Sequence, residues 1–493
     1  QIQIIFSWMS ITNQEEIWPI VRNYQKVTPV SFLQLNTFDR FLEEDLKTII
    51  LNAEPIVLDL HSSRNFQEED TGGLRRYTIK FGPGVYISKP SFMEDNKVID
   101  LYPYEALIRN ITYSSPIHID LRVLVEEKDI EGNWAVLSNE TIIEYIGKIP
   151  MMIKSKFCHL FGREDPNMCK YEPGGYFIIK GTESGSEKVV LPQEKQANNV
   201  VYAFKNRKAK TSSMKHSYLV EVKSQLGPYD IVLIVSCYLD HQHRIKVTLP
   251  NSKNDFPIFV LFKALGIHDV KDYLTSVFGI EESFLKSSAE EGSVFVDQDL
   301  SLNYIGSKSN LHDHSRLECI AFARDLLERD LFKHLHVIQD NLLERKAYYL
   351  GLMVQKLYLL ASGKIQEDDR DNYSNRRMDS TGALFSQLFI ELFRTMRANM
   401  HKTLKFQLDK DSRSFSVSGA IIPDIITKGF LYSLGTGNWG LKDQLDPRSG
   451  VSQTLSRLSF AGTISHLRRI NTPLSRTSKK TAPRLLHGTQ FGY

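Results

Sequence analysis

The segment HIDLRVLVEE, residues 118–127, carries an apolar side chain at every odd position from 119 to 125: Ile119, Leu121, Val123 and Val125. Side chains of a β-strand alternate between the two faces of a sheet, so these four positions share one face. The pattern predicts a strand with one buried face. The earlier segment YTIKFGPGVYISKP, residues 77–90, is also rich in β-forming residues and is broken by Gly and Pro. This part of the chain therefore predicts a β-sheet.

Helical patterns lie on both sides of this β-rich block. Apolar residues recur every three or four positions at Phe38, Leu42, Leu46 and Ile49, and again every four at Leu384, Leu388, Leu392 and Met396. Further β-rich segments occupy residues 174–194 and 230–250, and helical spacing follows them. Because strands and helices are grouped in blocks, the sequence predicts an α+β fold with mixed sheets and helices. A length of 493 residues indicates several domains.

Composition excludes several classes of protein. A hydrophobic fraction of 42% and a charged fraction of 24% are typical of folded globular proteins. The four cysteines, at positions 158, 169, 237 and 319, are too few and too scattered for a disulfide framework or a CxxC zinc site. The longest apolar run, residues 347–361, contains Gln355 and Lys356 and is shorter than the roughly 20 residues that span a bilayer. It predicts a buried helix.

Positive charge is concentrated at the end of the chain. Residues 447–493 contain eight Lys or Arg and no Asp or Glu, so residues 1–446 carry a net charge of −5 although the whole chain carries +3. Segregated charge of this kind creates a local potential that attracts polyanions. The apolar residues Val451, Leu455, Leu458 and Ala461 have helical spacing. We therefore expect a helix joined to a basic loop that contacts nucleic acid, in preference to a plain solvated surface.

Two other motifs are better explained by a structural role than by a ligand-binding site. GTGNWG, residues 435–440, matches a bare dinucleotide-binding pattern, but no acid follows Asp446 to hold a ribose, so a glycine turn is favoured. EDDRD, residues 367–371, offers paired carboxylates for a metal, yet Arg370, Arg376 and Arg377 stand among these acids. Interspersed charges of both signs favour a salt-bridged surface.

Eight phrases distributed over nearly the whole chain resemble one known family. They are similar, in the same order, to the second-largest subunit of multisubunit DNA-dependent RNA polymerases of the eukaryotic, archaeal and large-DNA-virus type. The phrases are LYPYEALIRNITYSSPIHIDL, IGKIPMMIKSKFCHL, YEPGGYFIIKGTESGSEKVVLPQE, FPIFVLFKALGI, EDDRDNYSNRRMD, LYSLGTGNWG, GVSQTLSRLSFAGTISHLRRINTPLSR and APRLLHGTQFGY.

The resemblance implies a domain organisation and a site. Residues 1–198 and 383–440 would form the protrusion, residues 199–382 the lobe inserted into it, and residues 441–493 the incomplete fork. The segment at 465–484 resembles the fork-loop region, which in the family lies close to downstream DNA. The implied nucleic-acid-binding residues are Arg468, Arg469, Asn471, Arg476, Lys479, Lys480 and Arg484. No catalytic residue and no metal ligand is implied in this chain.

The same resemblance implies a complete enzyme with its metals, binding partners and cellular location. We expect a fragment that starts at Gln1 and continues beyond Tyr493, and that has no catalytic activity alone. The complete enzyme would be a DNA-directed RNA polymerase, a nucleotidyltransferase that uses Mg²⁺ held by the largest subunit, with zinc only in the missing C-terminal region. Implied partners are the largest and smaller polymerase subunits, the DNA template and the RNA–DNA hybrid, and no membrane. The location would be intracellular, in the nucleus or in the cytoplasm, including a viral factory.

Two alternatives of other classes remain open at this point. One is a free-standing nucleic-acid-binding protein whose basic C-terminal segment acts as an arm. The other is an unrelated enzyme, although no nucleophile, metal cluster or phosphate-binding loop supports it. Reading the encoding gene beyond Tyr493 would separate the subunit from the arm protein.

Overall fold

The computed structural model describes residues 14–60, 75–95, 97–128, 134–163, 166–169, 171–180, 186–205, 216–227, 232–250, 252, 254–295, 297–309, 315–337, 340–370, 372–410, 416–441 and 448–472. These residues form two compact units. Unit 1 combines the described parts of Gln1–Glu194 and Met378–Ser475, and unit 2 those of Lys195–Arg377. Unit 2 is therefore inserted, in sequence, into unit 1.

Helices and strands are present in both units, which confirms the predicted α+β fold. The strands are β1 (Ile56–Leu60), β2 (Arg75–Ile87), β3 (Ser91–Glu94), β4 (Lys97–Asp100), β5 (Ser114–Lys128), β6 (Trp134–Pro150), β7 (Phe177–Ile178), β8 (Glu187–Val190), β9 (Gln193–Gln196), β10 (Val201–Lys205), β11 (His216–Ser224), β12 (Leu233–Asp240), β13 (Ile245–Thr248), β14 (Asp255–Pro257), β15 (Arg376–Asp379) and β16 (Ser452–Thr454). The α-helices are α1 (Gln14–Val27), α2 (Phe32–Arg40), α3 (Leu46–Leu51), α4 (Pro103–Ile108), α5 (Ile258–Ala264), α6 (Val270–Phe278), α7 (Glu282–Gly292), α8 (Gln298–Ser309), α9 (Arg316–Asp325), α10 (Leu342–Ala361), α11 (Thr381–Lys410), α12 (Val417–Ala420), α13 (Asp424–Thr436) and α14 (Phe460–Leu467). Short π- and 3₁₀-helical segments occupy Phe41–Asp45, Leu326–Asp330, Lys333–Val337 and Tyr373–Asn375.

The main sheet of unit 1 is antiparallel, with the strand order β1-β2-β5-β6. The alternation read from residues 118–127 is confirmed in β5, since Ile119 and Leu121 are fully buried and Val123 is only 8% exposed. Leu121 pairs with Phe81 of β2, and Ile119 with Val85, so apolar residues of neighbouring strands stack on the same face.

The buried face of this sheet belongs to the core that α2, α11 and α13 also line. The four-residue apolar stripe predicted on α11 is confirmed, because all four of its side chains are at most 2% exposed. Phe385, on the same helix, lies at the centre of an aromatic cluster. Its ring centroid is 5.1 Å from those of Phe38 and Phe177, 5.4 Å from that of Phe430 and 5.5 Å from that of Trp439.

The GTGNWG motif forms the predicted turn at the end of α13. Gly437 has a φ of +77° and ends the helix in the left-handed conformation, which glycine adopts without strain. A Cβ atom at this position would lie 2.5 Å from the carbonyl oxygen of Ser452. Trp439 is buried and its indole N–H donates to the carbonyl oxygen of Leu384 at 3.0 Å. The motif thus packs against the core.

The prediction of a helix from the apolar spacing at residues 451–461 is wrong. Residues Ser452–Thr454 form strand β16, which pairs antiparallel with β8, and the helix begins only after Ser459. Leu458, one of the four apolar residues in that spacing, is 97% exposed. The physical reason is tertiary: backbone pairing with β8 at Lys188–Val190 satisfies the peptide groups that a helix would have used.

Unit 2 contains a five-stranded antiparallel sheet with the order β10-β11-β12-β13-β14. The helix predicted at 347–361 is part of α10, which packs on β10, β11 and β12. Its residues Leu350, Val354 and Leu357 are fully buried, which confirms the prediction of a buried helix. Among the described residues, no helix is both long enough and apolar enough to cross a bilayer.

The acidic stretch at 367–371 contributes to the packing of unit 2. The carboxylate of Asp368 accepts the backbone N–H of Ala203 at 2.7 Å and lies 2.7 Å from the ammonium of Lys356. The guanidinium of Arg370 lies 3.9 Å from the ring centroid of Phe204. These contacts confirm the salt-bridged surface predicted for this stretch.

Candidate nucleic-acid interface

The eight basic residues after position 446 fall into three groups. Arg448 and Arg457 bind carboxylates within unit 1. Arg468 and Arg469 are exposed at the end of α14. The other four, predicted from the resemblance as nucleic-acid-binding residues, lie outside the described residues: Arg476, Lys479, Lys480 and Arg484. Within the described part of the basic segment, Arg468 and Arg469 are therefore the two cations without a carboxylate partner.

Arg457 joins the segment that precedes α14 to the rest of unit 1. Its guanidinium binds Glu187 through two hydrogen bonds, of 2.7 and 3.0 Å, and Glu172 through one of 3.2 Å. It also lies over the ring of Tyr176, 4.9 Å from the centroid. Burial would lower the pKa of Arg457, but the hydrogen bonds to Glu187 and the charges of both carboxylates outweigh it and raise the pKa above its usual value.

Arg468 and Arg469 follow directly after the last residue of α14. Their backbone N–H groups donate to the carbonyl oxygens of Ile464 and His466, at 3.1 and 3.3 Å, so the turn at the helix end is defined. Within the described residues, neither guanidinium has a carboxylate within ion-pair distance. Cations at a helix C-terminus are favoured by the helix dipole, which is a structural role open to both. Their exposed guanidinium groups remain available to bind an anion.

Helix α14 is anchored at both ends. At its start, the Ser459 hydroxyl accepts the backbone N–H of Gly462 at 3.0 Å, and Thr463 donates its hydroxyl proton to the Ser456 carbonyl oxygen at 2.7 Å. At its end, the side-chain amide of Gln34, on α2, donates to the carbonyl oxygen of Leu467. The two arginines are therefore carried by a helix whose position is set by core contacts.

His466 ties the helix to the preceding strand. Its Nδ1 accepts the backbone N–H of Ser456 at 3.1 Å, which requires that nitrogen to be unprotonated. Its Nε2–H then donates to the side-chain oxygen of Gln453, also at 3.1 Å. The ring is 5% exposed. Burial lowers the pKa of His466, and the positive charge of Arg469 lowers it further.

This lowered pKa predicts an acid-sensitive contribution to the stability of unit 1. In the unfolded chain the imidazole takes up a proton near its ordinary pKa of 6.5, whereas in the folded chain it does so only at lower pH. The unfolded state therefore binds more protons, and the free energy of unfolding decreases as the pH falls below about 6.5. We expect the His466→Asn variant to show less of this decrease, when urea unfolding is followed between neutral and acidic pH.

The pH profile of the His466→Asn variant must be compared with that of wild type, because another titratable group in unit 1 changes the stability in the opposite direction. Burial raises the pKa of Asp39 to about 6, although a hydrogen bond from the Lys156 backbone opposes the shift. Protonation of Asp39 therefore stabilises the folded state as the pH falls through 6. Only the difference between the pH profiles of wild type and variant reports the contribution of the His466 imidazole. An identical pH profile in both proteins would show that the ring does not hold its neutral form.

The structure gives Asn471 a definite structural contact. Its backbone N–H donates to the carbonyl oxygen of Pro192 at 2.9 Å, and its carbonyl accepts the N–H of Glu194 at 2.9 Å. Its side-chain amide donates to the Gln193 oxygen at 2.8 Å. Thr472 continues this attachment through a 2.7 Å hydrogen bond to the Glu194 carboxylate. These bonds fix the course of the chain just after the two arginines.

Sequence reasoning missed the residues that hold this site in place. Gln34, Glu172 and Glu187 lie hundreds of positions from the contacts that they make in α14 or in the segment before it. No local pattern signals such pairs. A weaker signal was present for His466, a histidine on the core side of a short helix beside two arginines. The described residues contain no group of three or more His, Cys, Asp or Glu placed to hold a metal ion.

Comparison with known proteins identifies the family. The model of the family described as "RNA polymerase beta subunit" matches residues 30–428, and that of "RNA polymerase Rpb2, domain 3" matches residues 453–493. The chain is 34% identical over 515 residues to DNA-directed RNA polymerase II subunit RPB2 of Schizosaccharomyces pombe, covering 99% of this chain. It is 34% identical over 500 residues to DNA-directed RNA polymerase II subunit 2 of Arabidopsis thaliana, covering 97% of it.

An archaeal relative is matched along most of its length. DNA-directed RNA polymerase subunit Rpo2N of Methanococcus vannielii is 29% identical over 481 residues, which cover 93% of this chain and 87% of that protein. The match covers only 41% of the length of each eukaryotic relative named above. The family model nevertheless extends over most of this chain, and the resemblance inferred from the eight phrases is confirmed. The chain belongs to the family of the second-largest, or beta, subunit of RNA polymerase.

Proposed function

We propose that this chain is the N-terminal part of the second-largest subunit of a DNA-directed RNA polymerase and contributes one side of the DNA cleft and the fork-loop region. The family match and the names of the relatives support this proposal. In it, residues 1–198 and 383–440 form the protrusion, residues 199–382 the lobe and residues 441–493 the start of the fork. The chain works inside the cell, in contact with the largest and smaller subunits, template DNA and the RNA–DNA hybrid.

The observation that carries the nucleic-acid contact is the exposure of Arg468 and Arg469 on a fixed helix end. Two guanidinium groups without a carboxylate partner among the described residues can each donate charge-assisted hydrogen bonds to phosphate oxygens. Anchoring by Gln34, His466 and Asn471 limits the motion of the backbone that carries them. Less conformational freedom is then lost when a phosphate binds. Arg476, Lys479, Lys480 and Arg484 would extend the same contact surface.

Catalysis is assigned to the complete enzyme and not to this chain alone. The proposed reaction is nucleotidyl transfer directed by a DNA template, with Mg²⁺ held by the largest subunit and zinc by a part of the subunit that lies beyond this chain. In this proposal, this chain's share of the reaction is to bind and orient nucleic acid. The alternative of a free-standing protein with a basic arm gains no support from the relatives, which are polymerase subunits.

The experiment measures duplex DNA binding by the full chain as a function of salt. Each phosphate neutralised by a cation contributes about −0.9 to the slope of log affinity against log salt concentration on duplex DNA. We expect the Arg468→Ala/Arg469→Ala variant to flatten this slope by up to about 1.8. Arg122→Ala/Arg163→Ala, which removes two other exposed arginines of unit 1, is the matched control and should leave the slope near that of wild type.

Two outcomes would count against the proposal. An unchanged slope in the double variant would mean that the arginines serve the helix end only. RNA synthesis by this chain in the absence of other subunits would contradict the assignment of catalysis to the complete enzyme.

A further inference from the structure

Helix α1, residues Gln14–Val27, divides cleanly into an apolar and a charged side. Apolar residues follow the i, i+3, i+4, i+7 pattern of an amphipathic helix at Ile17, Ile20, Val21 and Tyr24, and Trp18 lies beside them. At 100° per residue these five positions fall within an arc of roughly 160°. The four charged residues of the helix all lie outside this arc: Glu15, Glu16, Arg22 and Lys26. We define Ile17, Trp18, Ile20, Val21 and Tyr24 as the α1 apolar face.

The α1 apolar face is exposed. Trp18, Ile20 and Tyr24 are 57%, 61% and 66% exposed, and Ile17 and Val21 are half-buried. Within the described residues, none of the five belongs to the core of unit 1 or packs against it. An amphipathic surface helix normally turns its apolar stripe toward a core, and single exposed apolar residues are ordinary whereas a whole face is not. The face therefore indicates a contact with a further element.

The size of the face restricts what can cover it. A helix of 14 residues is roughly 21 Å long and about 10 Å wide, so one side offers on the order of 200 Å² of contact. A stable complex of two separate proteins buries about 800 Å² on each partner. The α1 apolar face is too small to hold a second copy of this chain by itself. A segment of the same polypeptide is kept at high effective concentration by its covalent connection, so a smaller contact suffices.

The relatives contain additional chain that could supply such a segment. The match covers only 41% of the length of each of the two eukaryotic relatives, although it covers 99% of this chain in the first of them and so extends over α1. More than half of each of these relatives therefore lies outside the matched region. In the proposed function, the corresponding part of this subunit follows residue 493.

We propose that the α1 apolar face packs against the part of the second-largest subunit that lies beyond this chain, and that α1 thereby joins the two parts of the subunit. This inference rests on the proposed function, because it takes the chain to be the N-terminal part of a longer subunit. The contact is a helix in an apolar groove, with Ile17, Ile20, Val21 and Tyr24 as its anchors. Because the face carries no charge, the contact should not weaken as salt rises, unlike the DNA contact proposed at the end of α14.

The test compares amide hydrogen exchange in α1 between the 493-residue chain and the complete subunit expressed from its gene. Mass spectrometry of peptides that cover residues 14–27 reports the exchange rate of the helix. We expect exchange to be slower by about tenfold or more in the complete subunit, because covering the face suppresses local opening. The Ile20→Gln/Tyr24→Gln variant should lose this slowing. Glutamine is a good helix former, so the substitutions remove the apolar contact and not the helix.

The matched control is Arg22→Gln/Asn23→Gln, which changes two exposed residues of the same helix outside the arc. It should keep the slow exchange of the complete subunit, at both about 50 and about 200 mM salt. Equal loss of slowing in the two variants would show that the substitutions act on the helix itself, which overturns the inference. Slow exchange in the 493-residue chain alone, increasing with its concentration and accompanied by dimers in sedimentation, would assign the face to a second copy and also overturn it.

Failure of this inference and failure of the proposed function give different results. A complete subunit in which α1 exchanges as fast as in the 493-residue chain overturns the inference and leaves the proposed function intact. The same holds if exchange slows only after the other polymerase subunits are added, because one of them then covers the face. A gene that ends at Tyr493 would contradict the assignment of this chain as the N-terminal part of a longer subunit, and the inference would fail with it.

Discussion

Replacing Phe385 by alanine is expected to lower the free energy of unfolding of unit 1 by about 3 to 5 kcal/mol. The side chain is fully buried on α11, and its ring contacts those of Phe38, Phe177, Phe430 and Trp439. Truncation removes the transfer free energy of the ring and leaves a cavity between α2, β7, α11 and α13, which cannot all close on it.

Urea unfolding followed by tryptophan fluorescence measures this change. All four tryptophans lie outside unit 2, and Trp439 is itself a neighbour of Phe385, so the signal reports on unit 1. The matched control is Phe406→Ala on the same helix, where the side chain is 57% exposed. We expect the control to change stability by no more than about 0.5 kcal/mol. Equal effects of the two substitutions would contradict the central position of Phe385 in the core.

The second large effect is expected for Arg457→Gln, which should lower the free energy of unfolding of unit 1 by about 2 to 4 kcal/mol. Glu172 and Glu187 have side chains only 10% and 19% exposed, and the guanidinium lies against both. Without it, two largely buried carboxylates face each other with no cation between them. The cost stays below that of a fully buried pair because 36% of the Arg457 side chain is exposed.

A double-mutant cycle separates the ion pair from loss of packing. In the Glu187→Gln background, Arg457→Gln should cost clearly less than in wild type, because one of the two carboxylates is already neutral. Arg468→Gln, an exposed arginine of the same segment, is the control and should be nearly neutral. If Arg457→Gln costs the same in both backgrounds, the charge pair with Glu187 does not provide the stability, which then comes from Glu172 and from the contact with Tyr176.

Local patterns predicted much of the fold because they report burial directly. The alternation in β5 and the four-residue stripe on α11 identified buried faces that the structure confirms. The same logic failed at 451–461, where apolar spacing resembled a helix but the backbone pairs with β8. A strand of three residues is too short to show the alternation that predicts β-structure, so the helical spacing decided the prediction. The strand's partner also lies more than 250 residues away in the sequence. Only tertiary structure resolves that choice.

The site was predicted in part for a similar reason. Charge segregation pointed to the basic segment, and the structure places Arg468 and Arg469 on its exposed surface. Composition could not show that Arg457, a few positions earlier, is bound between two carboxylates. It also could not show that the amide of Asn471 binds Gln193. Both depend on residues brought together by the fold, which a count of charges ignores.

The insertion of unit 2 into the sequence of unit 1 has a consequence for folding during synthesis. Phe38, Phe41 and Phe177 precede unit 2, whereas Phe385, which their cluster needs, follows it. At about 5 to 20 residues per second, a ribosome needs roughly 10 to 40 seconds to pass from Phe177 to Phe385. During this interval the N-terminal part of unit 1 cannot complete its core, and its aromatic side chains remain exposed to solvent. We expect nascent chains that end before α11 to depend on chaperones, while unit 2 completes its own core.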